Sequence, residues 1–136
     1  MQNKGLALDY ITRAKKRLAA LRALHRESAW ADVVRESQEV VELALKSLLR
    51  FYHVEIPRIH DVSGVLENEK SKFPVQIKRN LERYQQISRT LRRDRELAFY
   101  GSEDLTPMEF YKKEDADVAM ESAEWVVHSL LPLFRN

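Results

Sequence analysis

Residues 29–52 read AWADVVRESQEVVELALKSLLRFY, and this stretch decides the fold. Its apolar and small side chains recur every three or four residues, at Trp30, Val33, Val34, Ser37, Val41, Ala44, Leu45, Leu48 and Tyr52. The charged side chains fall between them, at Asp32, Arg35, Glu36, Glu39, Glu42 and Lys46. This spacing predicts a long amphipathic helix whose wide apolar face forms the centre of the core.

The same periodicity predicts further helices over about 8–24, 62–70, 75–99 and 114–131. The apolar stripe of the first begins at Leu8, and the stripe of the last includes Val118. Ser28 and Asp61 directly precede predicted helices, and their side chains are of the kind that caps a helix N-terminus. We therefore expect Ser28 and Asp61 to be N-caps.

A short helical turn is expected between the last two long helices. Thr106-Pro107-Met108-Glu109 has capping-box spacing with proline at the first helical position, and the turn should close at Tyr111. No segment alternates with period two for long enough to form a strand. The sequence predicts an all-α, antiparallel, up-and-down bundle of four long helices plus a short fifth, in a single domain over 1–136.

Composition excludes several classes of function. The chain has no cysteine, so disulfides, cysteine-based zinc sites and thiol catalysis are ruled out. No apolar run reaches the ~18 residues of a membrane span, and the N-terminus lacks a signal-peptide core. The sequence also lacks a glycine-rich phosphate loop and a nucleophile elbow. These observations predict a cytoplasmic protein without cofactor or metal.

Charge is distributed unevenly along the chain, although the net charge is only +2. Residues 4–26 contain seven basic side chains and one acid, and residues 75–95 contain seven and two. Residues 101–117 carry six acids and two lysines. Two basic helices and one acidic segment are therefore expected, and the arginine-rich end of the second basic helix is the candidate for phosphate recognition.

Two stretches resemble the HEPN domains, small all-helical modules of prokaryotes and higher eukaryotes. The first is LRRDRELAFYG at 91–101 followed by acids, and the second is VEIPRIHDV at 54–62, with its Pro-x-x-His-Asp junction. The resemblance implies a helical bundle that pairs as a homodimer. It also implies action beside a minimal nucleotidyltransferase, in a toxin–antitoxin-like system, or metal-independent ribonuclease activity.

The ribonuclease members of that family carry Arg, four to six residues, then His. Here Arg95 and four further residues lead to Tyr100, and no histidine has an arginine at the required spacing upstream. A phenol with a pKa near 10 is a poor general base at neutral pH. The sequence therefore favours a non-catalytic module that binds nucleotide or RNA phosphates. A metal-independent ribonuclease with a degenerate active site is the alternative.

Arg92, Arg95 and Tyr100 are the predicted phosphate-binding residues, and no residue is predicted to be catalytic. Other readings stay open. The arginines would equally suit a solvated helix face with local ion pairs, and Tyr100 could close the core at the helix end. The pair His60-Asp61 could be catalytic, although a helix cap with a packed histidine explains it as well.

Overall fold

The computed structural model describes residues 4–56, 62–100 and 106–135, with only the backbone described for 94–100. All regular structure in these ranges is helical. The helices are α1 (Lys4–Arg26), α2 (Trp30–Phe51), α3 (Val62–Asn68), α4 (Val75–Arg79), α5 (Leu81–Tyr100), α6 (Pro107–Phe110) and α7 (Lys113–Leu130), and short 3₁₀ turns span Lys70–Lys72 and Leu131–Phe134.

The central helix of the bundle is α2, which packs against α1, α5 and α7. Its apolar stripe is buried from Val33 to Leu48, where Val33, Ala44, Leu45 and Leu48 are each 0% exposed, and Trp30 and Tyr52 at its ends are half-buried. The inward-facing side chains of residues 29–52 therefore form the centre of the core, as predicted. The all-α helical bundle is confirmed.

The predicted helix over 75–99 is interrupted at Asn80. Its backbone (φ −102°, ψ 5°) ends α4, and its N–H donates to the carbonyl of Ile77 at 3.1 Å. The Asn80 side-chain amide also donates to the carbonyl of Gln76 at 3.3 Å. Such local side-chain hydrogen bonds compete with the backbone hydrogen bonds of a helix. The apolar periodicity continues across the break, so the sequence pattern alone does not show it.

The turn after α1 differs from the prediction. Ser28 is not an N-cap: it adopts φ 58°, and Ala29 precedes α2 without a side-chain cap. The Ser28 N–H donates to the carbonyl of His25 and the Ala29 N–H to that of Leu24, at 2.9 and 3.0 Å. This pair of bonds is a Schellman motif, so Ser28 closes α1 in the left-handed conformation.

Two residues predicted to face inward are exposed. Leu8 is 51% exposed because Ala7, one residue earlier, occupies the buried register with Ile11 and Ala14. Val118 is 64% exposed, since the buried face of α7 runs through Ala116, Ala119 and Ala123 beside it. Both residues lie at the edge of a correctly predicted stripe.

The short turn is confirmed at α6. Thr106 Oγ1 accepts the Glu109 backbone N–H at 3.3 Å, and Glu109 Oε1 accepts the Thr106 backbone N–H, also at 3.3 Å. Pro107 occupies the first turn. The predicted N-cap Asp61 lies outside the described residues, as do His60 and Gly101.

Contacts between side chains tie α7 to its neighbours. The Tyr84 hydroxyl on α5 lies 2.7 Å from Ser129 Oγ near the end of α7, and the Tyr84 ring packs against Trp125 at 5.0 Å between centroids. At the other end, His25 Nε2 lies 2.6 Å from Asp117 Oδ1. The start of α5 therefore meets the end of α7, whereas the end of α1 meets the start of α7.

Candidate phosphate-binding surface

The predicted phosphate-binding residues all lie on α5. Arg92 is exposed, whereas the side chains of Arg95 and Tyr100 lie outside the described residues, although the helix backbone continues through both. The structure therefore tests the surroundings of Arg92 and leaves the roles of Arg95 and Tyr100 as predictions.

Arg92 borders a crevice between α2 and α5, together with Gln38, Glu42 and Ser88, and this crevice is too narrow to admit a water molecule. Glu42 Oε2 accepts the Gln38 side-chain N–H at 2.7 Å, and Lys46 Nζ lies 3.1 Å from Glu42 Oε1. Burial acts to raise the pKa of Glu42, but these hydrogen bonds and the charges of Lys46 and Arg92 hold it below its ordinary value. Glu42 is thus ionised at neutral pH, and a phosphate approaching Arg92 meets two cations and one anion.

Two buried polar side chains line this crevice beside the buried apolar Val41, Val62 and Leu91. Gln38 is 6% exposed and Ser88 is 8% exposed. The Gln38 side-chain oxygen has no hydrogen-bond partner within the part of the chain that the structure describes. A buried acceptor of this kind carries a desolvation cost.

A second, wider groove of about 710 Å³ opens on the same side of α5. Its basic residues are Lys70, Lys78 and Arg89, all exposed. Glu67 lies among them, and hydrogen bonds from Gln85 and Lys70 at 2.9 Å hold its pKa below the ordinary value. The groove therefore combines three cations with carboxylates at fixed positions.

The groove and the crevice lie on one face of α5. Gln85, Arg89 and Arg92 are spaced by four and three residues, so their side chains lie above one another. From the sequence, Arg92 was grouped with Arg95 and Tyr100, and Lys70, Lys78 and Glu42 were missed. Those residues reach the surface from other helices, and only helix packing brings them together.

The remaining candidates of the sequence contribute little to this face. His25 is engaged with Asp117 and packs edge-on against Trp30 at 4.9 Å between ring centroids, far along the chain from Arg92. His53 and His128 are exposed. Within the described residues no group of three or more histidine, aspartate and glutamate side chains has the arrangement of a metal site.

The chain belongs to the HEPN domain family. The family model, described as "HEPN domain", matches residues 7–132, which is nearly the whole chain. Comparison with curated proteins found no match, and comparison with solved structures found none. Membership of this family indicates a function related to nucleotides or RNA. In the described residues, no helix combines the length and the hydropathy of a membrane span.

Proposed function

We propose that this protein is a non-catalytic HEPN module that binds the phosphates of a nucleotide or of RNA. The proposed binding residues are Arg89 and Arg92, together with the predicted Arg95 and Tyr100 farther along α5. The observation that carries the proposal is the exposure of Arg89 and Arg92 on this helix, beside the groove that also carries Lys70 and Lys78.

Physical chemistry favours phosphate as the ligand of such a surface. A guanidinium group donates two parallel hydrogen bonds to a phosphate, and a lysine adds a mobile positive charge. The Glu42 carboxylate, whose Oε1 lies 3.1 Å from Lys46 Nζ, reduces the net positive charge next to Arg92.

The proposal includes the absence of ribonuclease chemistry. Tyr100 stands at the position that would complete the Arg-x4-His spacing after Arg95. A tyrosine at this place could still hydrogen-bond or stack on a base, but it exchanges a proton poorly at neutral pH. By resemblance to its family, the protein would act as a homodimer beside a minimal nucleotidyltransferase, in a toxin–antitoxin-like system.

The test is fluorescence anisotropy with a labelled single-stranded RNA. Arg92→Ala and Arg95→Ala should each weaken binding by about tenfold or more, because a charge-assisted hydrogen bond contributes about 1.5–3 kcal/mol. The matched control is Arg13→Ala, an exposed arginine on α1 whose partner is Asp9 at 3.7 Å. This substitution removes the same positive charge from α1, which packs on another side of α2.

Three outcomes are informative. Loss of affinity in Arg92→Ala with wild-type affinity in Arg13→Ala supports the α5 surface. Equal losses in both variants would show that only net charge attracts RNA, and the proposal would fail. Wild-type affinity in both Arg92→Ala and Arg95→Ala, for RNA and for mononucleotides alike, would remove these residues from the binding surface.

A further inference from the structure

A separate groove of about 380 Å³ lies between α5 and α7. Its floor is apolar and consists of side chains from three helices: Val34 of α2, Ile87 and Leu91 of α5, and Ala119 of α7. Val34, Leu91 and Ala119 are buried, and Ile87 is half-buried. The groove therefore runs between two helices and above a third, and it offers a strip of apolar surface to incoming side chains.

Apolar side chains on the α7 side of this groove are exposed to solvent. Val118 lines the groove and is 64% exposed. Tyr111 lines it too, and the Tyr111 ring contacts the Phe110 ring at 4.9 Å between centroids. Since Phe110 is 38% exposed, apolar surface continues out of the groove onto α6. A continuous exposed patch of this kind is typical of a protein interaction site.

The rim of the groove along α7 is negatively charged. Glu114 and Glu121 lie one helical turn before and after Val118, and both are exposed. Asp115 lines the groove itself. The lysine that begins α7 is engaged with Asp117, because its Nζ lies 3.0 Å from Asp117 Oδ2. Three carboxylates therefore border the exposed apolar side chain on this helix.

The opposite wall, on α5, carries a positive charge at one end. The Arg83 guanidinium lies over the Trp125 ring of α7, 3.8 Å from its centroid. The cation–π interaction stabilises this arrangement and orients the guanidinium. The other polar side chains that α5 contributes to the lining, Gln86 and Thr90, are uncharged. The two walls therefore differ in charge, since carboxylates border α7 and a guanidinium borders α5.

We propose that the α5/α7 groove binds an amphipathic helix of a partner protein. From Arg83 to Leu91 the groove extends about 12 Å along α5, at about 1.5 Å per residue, which accommodates about two turns of a bound helix. The apolar stripe of the bound helix lies over Val34 and against Val118, in the helix-in-groove mode of recognition. Its flank that faces α7 carries lysine or arginine, and its flank that faces α5 carries a carboxylate near Arg83. Turning the bound helix end for end exchanges its flanks, so the charges of the two walls also fix its direction.

This site lies apart from the basic face of α5 that carries the proposed function. Arg83 and Arg92 lie on opposite sides of the helix, since their separation in the sequence corresponds to an odd number of half turns at about 100° per residue. The helix-binding groove therefore goes beyond phosphate binding, and either proposal can fail while the other stands.

A labelled synthetic peptide tests the proposal in fluorescence anisotropy with the full chain. It has about 14 residues, too few for a stable helix in water, with leucine at helical spacing, lysine along one flank and glutamate along the other. Circular dichroism should show added helix when the peptide binds. Val118→Lys should weaken binding by about tenfold or more, because it replaces an apolar contact by a charge that repels the lysine flank. Val75→Lys is the matched control and should leave binding unchanged, since Val75 lies on α4 and is also 64% exposed.

A second peptide tests the charge of the α7 rim. It carries glutamate on both flanks and should bind wild type more weakly than the first peptide, since the rim repels it. The double variant Glu114→Lys/Glu121→Lys should reverse this preference. The matched control Glu27→Lys/Glu55→Lys makes the same change in net charge at exposed residues outside the groove lining, and it should keep the wild-type preference.

Several results would overturn the proposal. Absence of binding of both peptides to folded wild type at millimolar concentration would do so, as would equal losses in Val118→Lys and Val75→Lys. Displacement of the bound peptide by single-stranded RNA would assign the groove to RNA instead. A dimer that dissociates in Val118→Lys but not in Val75→Lys, together with absence of peptide binding, would assign the groove to a second copy of the chain. RNA binding by Val118→Lys should not fall below that of wild type, and a fall would show that the groove and the phosphate-binding surface are one site.

Discussion

The hydrogen bond between Tyr84 and Ser129 gives a quantitative prediction for the packing of α5 against α7. Ser129 Oγ donates its proton to the carbonyl of Val126 at 2.9 Å. Because a serine hydroxyl has one proton, the Tyr84 hydroxyl must be the donor of the 2.7 Å bond between them. Tyr84 is 0% exposed. Removing the Tyr84 hydroxyl and removing the Ser129 hydroxyl therefore have different consequences for the group that remains.

Tyr84→Phe deletes the donor and leaves Ser129 with its other hydrogen bond. The expected loss in the free energy of unfolding is about 0.5–1.5 kcal/mol, the net value of one hydrogen bond. Ser129→Ala instead leaves the Tyr84 O–H donor without its partner in a buried place, and the expected loss is larger, about 1–3 kcal/mol. The double variant should lose less than the sum of the two single losses, because each removes the same bond.

Urea denaturation followed by circular dichroism at neutral pH measures all three free energies. The slope against urea concentration should be equal in wild type and variants, since the surface exposed on unfolding hardly changes. If Ser129→Ala proves less destabilising than Tyr84→Phe, the assigned direction of the bond is wrong. Strict additivity in the double variant would mean that the two hydroxyl groups do not interact in solution.

Three further predictions concern oligomeric state, pH and catalysis. Light scattering should give twice the chain mass of 16.0 kDa, and a monomer at all micromolar concentrations would contradict the proposed homodimer. Hydrogen bonds from His25 and then Lys113 lower the pKa of Asp117. A lowered folded pKa stabilises the protein above the unfolded value of about 3.9 and loses that contribution as pH falls through the folded value. The free energy of unfolding of wild type should therefore exceed that of Asp117→Asn by its full amount at pH 5 to 6, and the difference should vanish in acid. A difference that grows in acid would refute this reasoning. Tyr100→His should create RNA cleavage in EDTA that Arg95→Ala abolishes, with a gain of up to ~10²–10⁴-fold; robust wild-type cleavage lost in Tyr100→Phe would instead show an enzyme that uses Tyr100.

The sequence is sufficient for the helices because their apolar periodicity directly reflects burial. The stripe from Val33 to Leu48 is buried as predicted. The break at Asn80 was missed because one asparagine changes the backbone without changing the order of apolar residues. Ser28 was assigned to the wrong helix, since a serine in a left-handed turn and a serine at an N-cap look alike in a sequence.

The candidate sites could be predicted only in part. Arg92 was identified because it belongs to a local cluster of charges on one helix. Lys70, Lys78 and Glu42 were missed since they reach the same face from distant parts of the chain. The groove between α5 and α7 is lined by residues of three helices, among them Val34, Ile87 and Ala119, so no single stretch of the sequence predicts it. Val118 also lines this groove, although its spacing in the sequence had placed it in the core.

The central claim is that the basic face of α5 binds RNA phosphates without cutting the chain. Its most direct test is a salt titration of wild type with labelled single-stranded RNA in EDTA, from about 50 to about 200 mM salt. If Arg92 and Arg95 both contact phosphates, log K should fall linearly with log salt at a slope of about −1.4 or steeper, at ~0.7 per phosphate contact. The RNA should stay intact on a denaturing gel. A slope near zero, absence of binding at low salt, or cleavage of the RNA would contradict the account.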